Sequence, residues 1–131
     1  MKIKCLANKA GIAFKETKLP FGTSNDSVYG VDIGVIYTVV GMHLLKGELS
    51  CFIFNGSYPE ICPIQLFEVV DDKISKNWHF KQYSIDDSQH TEFVWGYYEF
   101  CFDDSHYEKI VNYDNEALAL FLNKLKEMEA E

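Results

Sequence analysis

The chain has 131 residues, 47% hydrophobic and 15% aromatic, with a net charge of −8 carried against twelve basic residues. That is the length of one domain with a core large enough to stand without staples, and the apolar content argues against intrinsic disorder. All twelve basic residues are lysines; with no arginine fork and an acidic balance, the composition argues against binding of nucleic acid, nucleotides or an anionic membrane.

The acid is polarised along the chain. Residues 1–65 carry six lysines and five acidic residues, a net of +1, whereas residues 66–131 carry six lysines and fifteen acidic residues, a net of −9. An asymmetry of this kind predicts a partner met by one face, or a solvated acidic surface.

In chain order, "IKCLA" (3–7) reads as a first strand. Residues 15–27, with Pro20, Gly22, Asn25 and Asp26, read as a long loop. "VIYTVVGMHLL" (35–45) is a β-branched and aromatic strand interrupted at Gly41, where a bulge or bend is expected. The Lys46–Glu48 turn joins it to "LSCFIFN" (49–55) as a hairpin. "NGSYPEICP" reads as a turn cluster, and "IQLFEVVD" (64–71) as a short helical turn running into a strand. "WHFKQYS" (78–84) and "EFVWGYYEFCF" (92–102) read as two more strands. The period then changes. Ser105 and Glu108 have capping-box spacing. Asp114 is placed to cap a final amphipathic helix carrying Leu118, Phe121, Leu122, Leu125 and Met128 at helical spacing. Strands first and helices last predict an α+β domain spanning 1–131: a strongly bent antiparallel sheet, an SH3-like barrel or partial barrel, followed by two C-terminal helices.

Candidate chemistry is sparse. Cys5, Cys51, Cys62 and Cys101 form no C-x-x-C pair and have no histidine at metal-site spacing, so free thiols in a reducing compartment are expected, with no metal and no cofactor. The first residues lack the apolar core of a signal peptide, and no stretch approaches a membrane span of roughly 20 residues, so a cytoplasmic location is expected. A Cys101–His106 nucleophile pair is conceivable, but Cys101 lies in an apolar run where a thiolate is disfavoured. Three acidic pairs, Asp71-Asp72, Asp86-Asp87 and Asp103-Asp104, sit at or beyond strand ends; turn formation and capping compete there with a shared acidic partner surface. Adjacent residues of a strand point to opposite faces, which weakens a metal or acid–base role for any such pair.

The segments "MKIKCLANK", "DIGVIYTVVGM" and "CFIFN…YPEICPIQLFEVVD" resemble small SH3-like barrel proteins of bacteria, through Gly34, Tyr37, the Lys46–Glu48 turn, Pro63 and Leu66-Phe67-Glu68. "FVWGYYEFCFDDSHYEKIV" is similar to a tail seen in uncharacterised bacterial proteins, some of which resemble immunity proteins of contact-dependent or polymorphic toxin systems. The resemblance implies a non-enzymatic protein-binding module whose partner is a cognate toxin domain, a nuclease among the options. The acidic residues Asp86, Asp87, Asp103 and Asp104 are then expected to steer the encounter, with Tyr97, Tyr98 or Tyr107 as the aromatic anchor. An SH3-like adaptor, or an enzyme with a dispersed site, are the alternatives.

Overall fold

The computed structural model describes residues 1–14, 19, 24–84 and 91–131. Eight strands, β1 (Lys2–Cys5), β2 (Ile36–Thr38), β3 (Gly41–Leu45), β4 (Glu48–Phe54), β5 (Pro59–Pro63), β6 (Phe67–Asp71), β7 (His79–Gln82) and β8 (Thr91–Gly96), precede three helices, α2 (Tyr98–Phe102), α3 (His106–Val111) and α4 (Asn115–Glu129); a single-turn α1 (Ala10–Ala13) follows β1. The strands form two antiparallel sheets, ordered β2-β1-β6 and β5-β4-β3-β8-β7. The α+β class and antiparallel pairing expected from the sequence are present. A closed barrel is not found among the described residues, and three helices, not two, follow the last strand.

The run at 35–45 splits between the sheets. Val39 and Val40 are both fully buried, yet they enter different cores. They link β2 to β3, and two adjacent valines there satisfy both cores at the crossover. The first core lies between the sheets and holds Ile3, Cys5, Cys51, Ile53, Cys62 and Leu66. The second lies between the far face of the five-stranded sheet and the helices, and holds Phe52, Tyr97, Ile110, Phe121 and Met128. Strand β4 serves both, with Cys51 and Ile53 on one face and Phe52 between them on the other.

The β3–β4 hairpin closes on a two-residue turn in which Lys46 (φ 51°) and Gly47 (φ 77°) both adopt positive φ, the geometry whose twist matches paired strands. Strand β5 was expected to be a turn cluster. Asn55 Oδ1 accepts the Ser57 and Tyr58 amides, and the Asn55 amide donates to the Tyr58 carbonyl, which closes a second tight hairpin. That register leaves the positions of Pro59, Ile61 and Pro63 facing the open edge, where a missing N–H costs no ladder bond.

The run 92–102 is strand only as far as Gly96, and the remainder is α2. Gly96 (φ 151°) lies opposite Gly41 in the β3–β8 pair. A Cβ on Gly41 would come within 2.7 Å of the Phe100 ring, and one on Gly96 within 2.8 Å. The paired glycines therefore open a gap in the sheet surface that seats Phe100 of α2. Phe100 in turn stacks on Phe52 with centroids 4.7 Å apart. Helix α4 starts as expected, with Asp114 accepting the Ala117 amide at 2.9 Å, and it buries Ala117, Phe121 and Met128. Leu122 lies on its exposed side. The capping box at α3 is not made: Ser105 donates through both N and Oγ to Asp103 Oδ1, at 3.1 and 2.8 Å, and caps no helix amide.

Candidate functional site: an acidic groove on the helix-bearing face

The second core leaves part of its sheet face uncovered. His43 and Leu45 of β3, Val94 of β8 and Lys81 of β7 share that face, because residues two apart on a strand point the same way. Helices α2 and α3 approach it from one side, and the gap is a groove of about 860 Å³ with Phe100, Tyr107 and Val111 as further apolar lining and Asp103, Asp104 and Glu108 at its rim. Lys81 is the one lysine that lines the groove among the described residues.

The carboxylates are placed by different local bonds. The two Ser105 hydrogen bonds hold the Asp103 carboxyl below its ordinary pKa. Asp104 is open, its side chain 85% exposed, and its Oδ1 lies 3.6 Å from Lys81 Nζ. Lys81 also lies over the Tyr83 ring, 4.4 Å from its centroid. Tyr107 packs edge-on against Phe52 at 5.7 Å, and burial, then the charge of Glu60, pushes its phenol pKa up. His43 makes no side-chain hydrogen bond or ion pair with a described residue, and burial lowers its pKa, so the imidazole is neutral near pH 7.

Of the residues expected to bind a partner, Asp103, Asp104 and Tyr107 come together in this groove. Tyr98 does not line it; it lies beside it on α2, 56% exposed and packed against His79 and Phe102. Tyr97 is corrected outright. It is 0% exposed and its Oη lies 2.6 Å from Nε2 of the buried His106, so it anchors the second core and is out of reach of a partner. Asp86 and Asp87 lie outside the described residues, as does most of the 15–27 loop. Asp71 accepts the Lys73 amide beyond β6, a turn role away from the groove.

The Cys101–His106 pair does not form. Cys101 Sγ donates to the Gly96 carbonyl at 3.5 Å, burial pushes its thiol pKa up to about 11, and His106 is engaged by Tyr97. All four cysteines are free and buried. Cys51 and Cys62 face each other across β4 and β5, and burial pushes the Cys51 thiol up to about 12. Among the described residues, no three His, Cys, Asp or Glu side chains are placed to hold a metal ion, and no helix is long and apolar enough to cross a membrane.

Sequence reasoning missed His43, Lys81 and Phe100 as parts of one site. Their union depends on β3 pairing with β8, far away in the chain. The only local trace was the Gly41 and Gly96 interruptions, which mark where Phe100 enters. Comparison of the chain with protein-family models, with curated proteins and with solved structures finds no match.

Proposed function

We propose that this chain is a protein-binding module that neutralises a cognate toxin domain, its acidic groove receiving a basic part of that partner. The observation that carries the binding half is the grouping of Asp103, Asp104 and Glu108 around an apolar floor with Lys81 as the only cation lining the groove among the described residues. A surface of this sign steers a basic partner and disfavours an acidic one. The toxin half rests on the sequence resemblance to immunity proteins. A nuclease fits it well, because a protein that grips phosphates needs basic residues around its substrate groove.

A histidine and carboxylates in one groove also suit an acid–base enzyme. Binding is the better reading because, among the described residues, no Ser, Thr or Cys lines the groove, and Asp103 and Asp104 are engaged by Ser105 and Lys81. An SH3-like adaptor for another cytoplasmic protein would use the same groove without a toxin.

The test is co-expression of the chain with the product of the gene immediately upstream. Toxicity of that product alone, relieved by this chain and restored by Asp103→Asn/Asp104→Asn/Glu108→Gln, is the expected result. A non-toxic neighbour, or toxicity unaffected by the chain, overturns the toxin half.

A further inference from the structure

The five-stranded sheet has two edges, and they differ. On β5, the positions facing the open edge are Pro59, Ile61 and Pro63, and of these three Ile61 alone carries an N–H. Proline on an edge strand is a standard block against strand addition. On β7, the Tyr83 amide donates to the Glu92 carbonyl, and bonded pairs alternate along an antiparallel ladder. Lys81–Val94 and His79–Gly96 are therefore bonded pairs, and the N–H and C=O groups of Phe80 and Gln82 point to the open edge. Both residues are exposed, and neither edge-facing N–H is removed by proline.

The two faces flanking this edge have different chemistry. On one, Phe80 is 49% exposed and continues a ring ladder with Phe93 and Trp95, at 5.6 and 5.4 Å. On the other, Lys81 is drawn toward Asp104, and the exposed Tyr98 and Phe102 pack over His79 at 5.5 and 6.1 Å. That second face opens into the acidic groove.

We propose that β7 is a docking edge to which the partner adds an extended segment of alternating basic and apolar residues. The inference rests on the groove reading above and names how the groove is engaged. The main chain of the segment bonds to Phe80 and Gln82. Its basic side chains, on one side, reach Asp104, Asp103 and the faces of Tyr98 and Phe102, a carboxylate and cation–π setting for a lysine or arginine. Its apolar side chains, on the other side, cover Phe80. A second copy of this chain fits less well: pairing β7 with itself so that Phe80 and Gln82 bond to each other sets the two acidic grooves side by side on one face of the joined sheet, and surfaces of like sign repel, whereas a basic segment brings no carboxylates of its own.

The probe is an eight-residue capped peptide alternating lysine and valine, with a version carrying proline at its centre as control, added to the full chain. Backbone amide hydrogen exchange is followed by NMR. At saturating peptide, exchange at the Phe80 and Gln82 amides slows by about tenfold or more, and the proline version has no such effect. Gln82→Pro, which closes β7 as prolines close β5, weakens peptide binding by about tenfold or more; should that variant not fold, the exchange data decide alone. Binding that shifts His43, Val94 and Tyr107 while leaving exchange at Phe80 and Gln82 unchanged overturns strand addition and leaves the groove reading standing. No change at any of these amides overturns strand addition, and the co-expression result then judges the groove separately.

Discussion

The two cores that share β4 are built from different material. The first is aliphatic and thiol-rich, with Ile3, Ile53 and Leu66 packed around Cys5, Cys51 and Cys62, and burial pushes the pKa of each of these thiols up. The second is a web of rings centred on Phe52, which meets Phe100, Tyr107 and Phe121 within 5.7 Å, and it buries a polar pair, Tyr97 with His106. Glu99 Oε2 is also buried beside that pair with no hydrogen-bond partner among the described residues. The lesson of the contrast is a division of labour. The first core joins the sheets, while the second fixes the helices whose outer ends form the groove, so damage to it should reach the site as well as the stability.

The largest effect that sharpens this contrast comes from Phe121→Ala. Phe121 is fully buried among Phe52, Phe54 and Tyr97, so truncation costs about 3–5 kcal/mol. Urea unfolding measures it, and a loss below about 1 kcal/mol would mean that α4 does not bear on the second core.

Tyr97→Phe comes next. It leaves His106 Nε2 buried without its partner, at a cost of about 1–3 kcal/mol. The same pair makes stability depend on pH. Burial lowers the His106 pKa from 6.5 in the folded chain, so the unfolded chain takes up the proton first. Stability is therefore full above the unfolded value and is lost as pH falls through it, levelling off only below the folded value. Urea midpoints measured from about pH 8 to about pH 5 should decline, and His106→Gln should flatten the decline. His43 shifts in the same direction and supplies a remainder.

The smallest effect tests the first core. Four thiols should titrate in denaturant without reductant, and none on mixing with the native protein, since all four are buried. Rapid labelling of Cys51 or Cys62 in the native chain would show that the first core opens.

Much of this division was legible in the sequence, through specific residues. The Lys46-Gly47 turn between alternating strands announced its hairpin, and Asp114 announced α4. Strand β5 was hidden because Pro59 and Pro63 read as turn residues; only the register shows that both prolines face outward. The run 92–102 is apolar on every face, so no period distinguished strand from helix, and the change falls where Gly96 makes room for Phe100. Asp103, Asp104 and Tyr107 were found because they are close in the chain, whereas His43 and Lys81 join them only through the β3–β8–β7 order. Tyr97 and Tyr98 are neighbours that the sequence treats alike; helix α2 buries one and exposes the other.

The most direct measurement is the association rate of the wild-type chain and of Asp103→Asn/Asp104→Asn/Glu108→Gln with the proposed partner, the product of the gene immediately upstream, at low and at physiological salt. Steering by a charged groove raises association by roughly 10–10³-fold and fades with salt, over a Debye length of about 8 Å at physiological strength. The triple variant should therefore associate about tenfold or more slowly at low salt, with a flatter salt dependence and an unchanged fold. An unchanged rate and slope would contradict the acidic groove as the site of encounter.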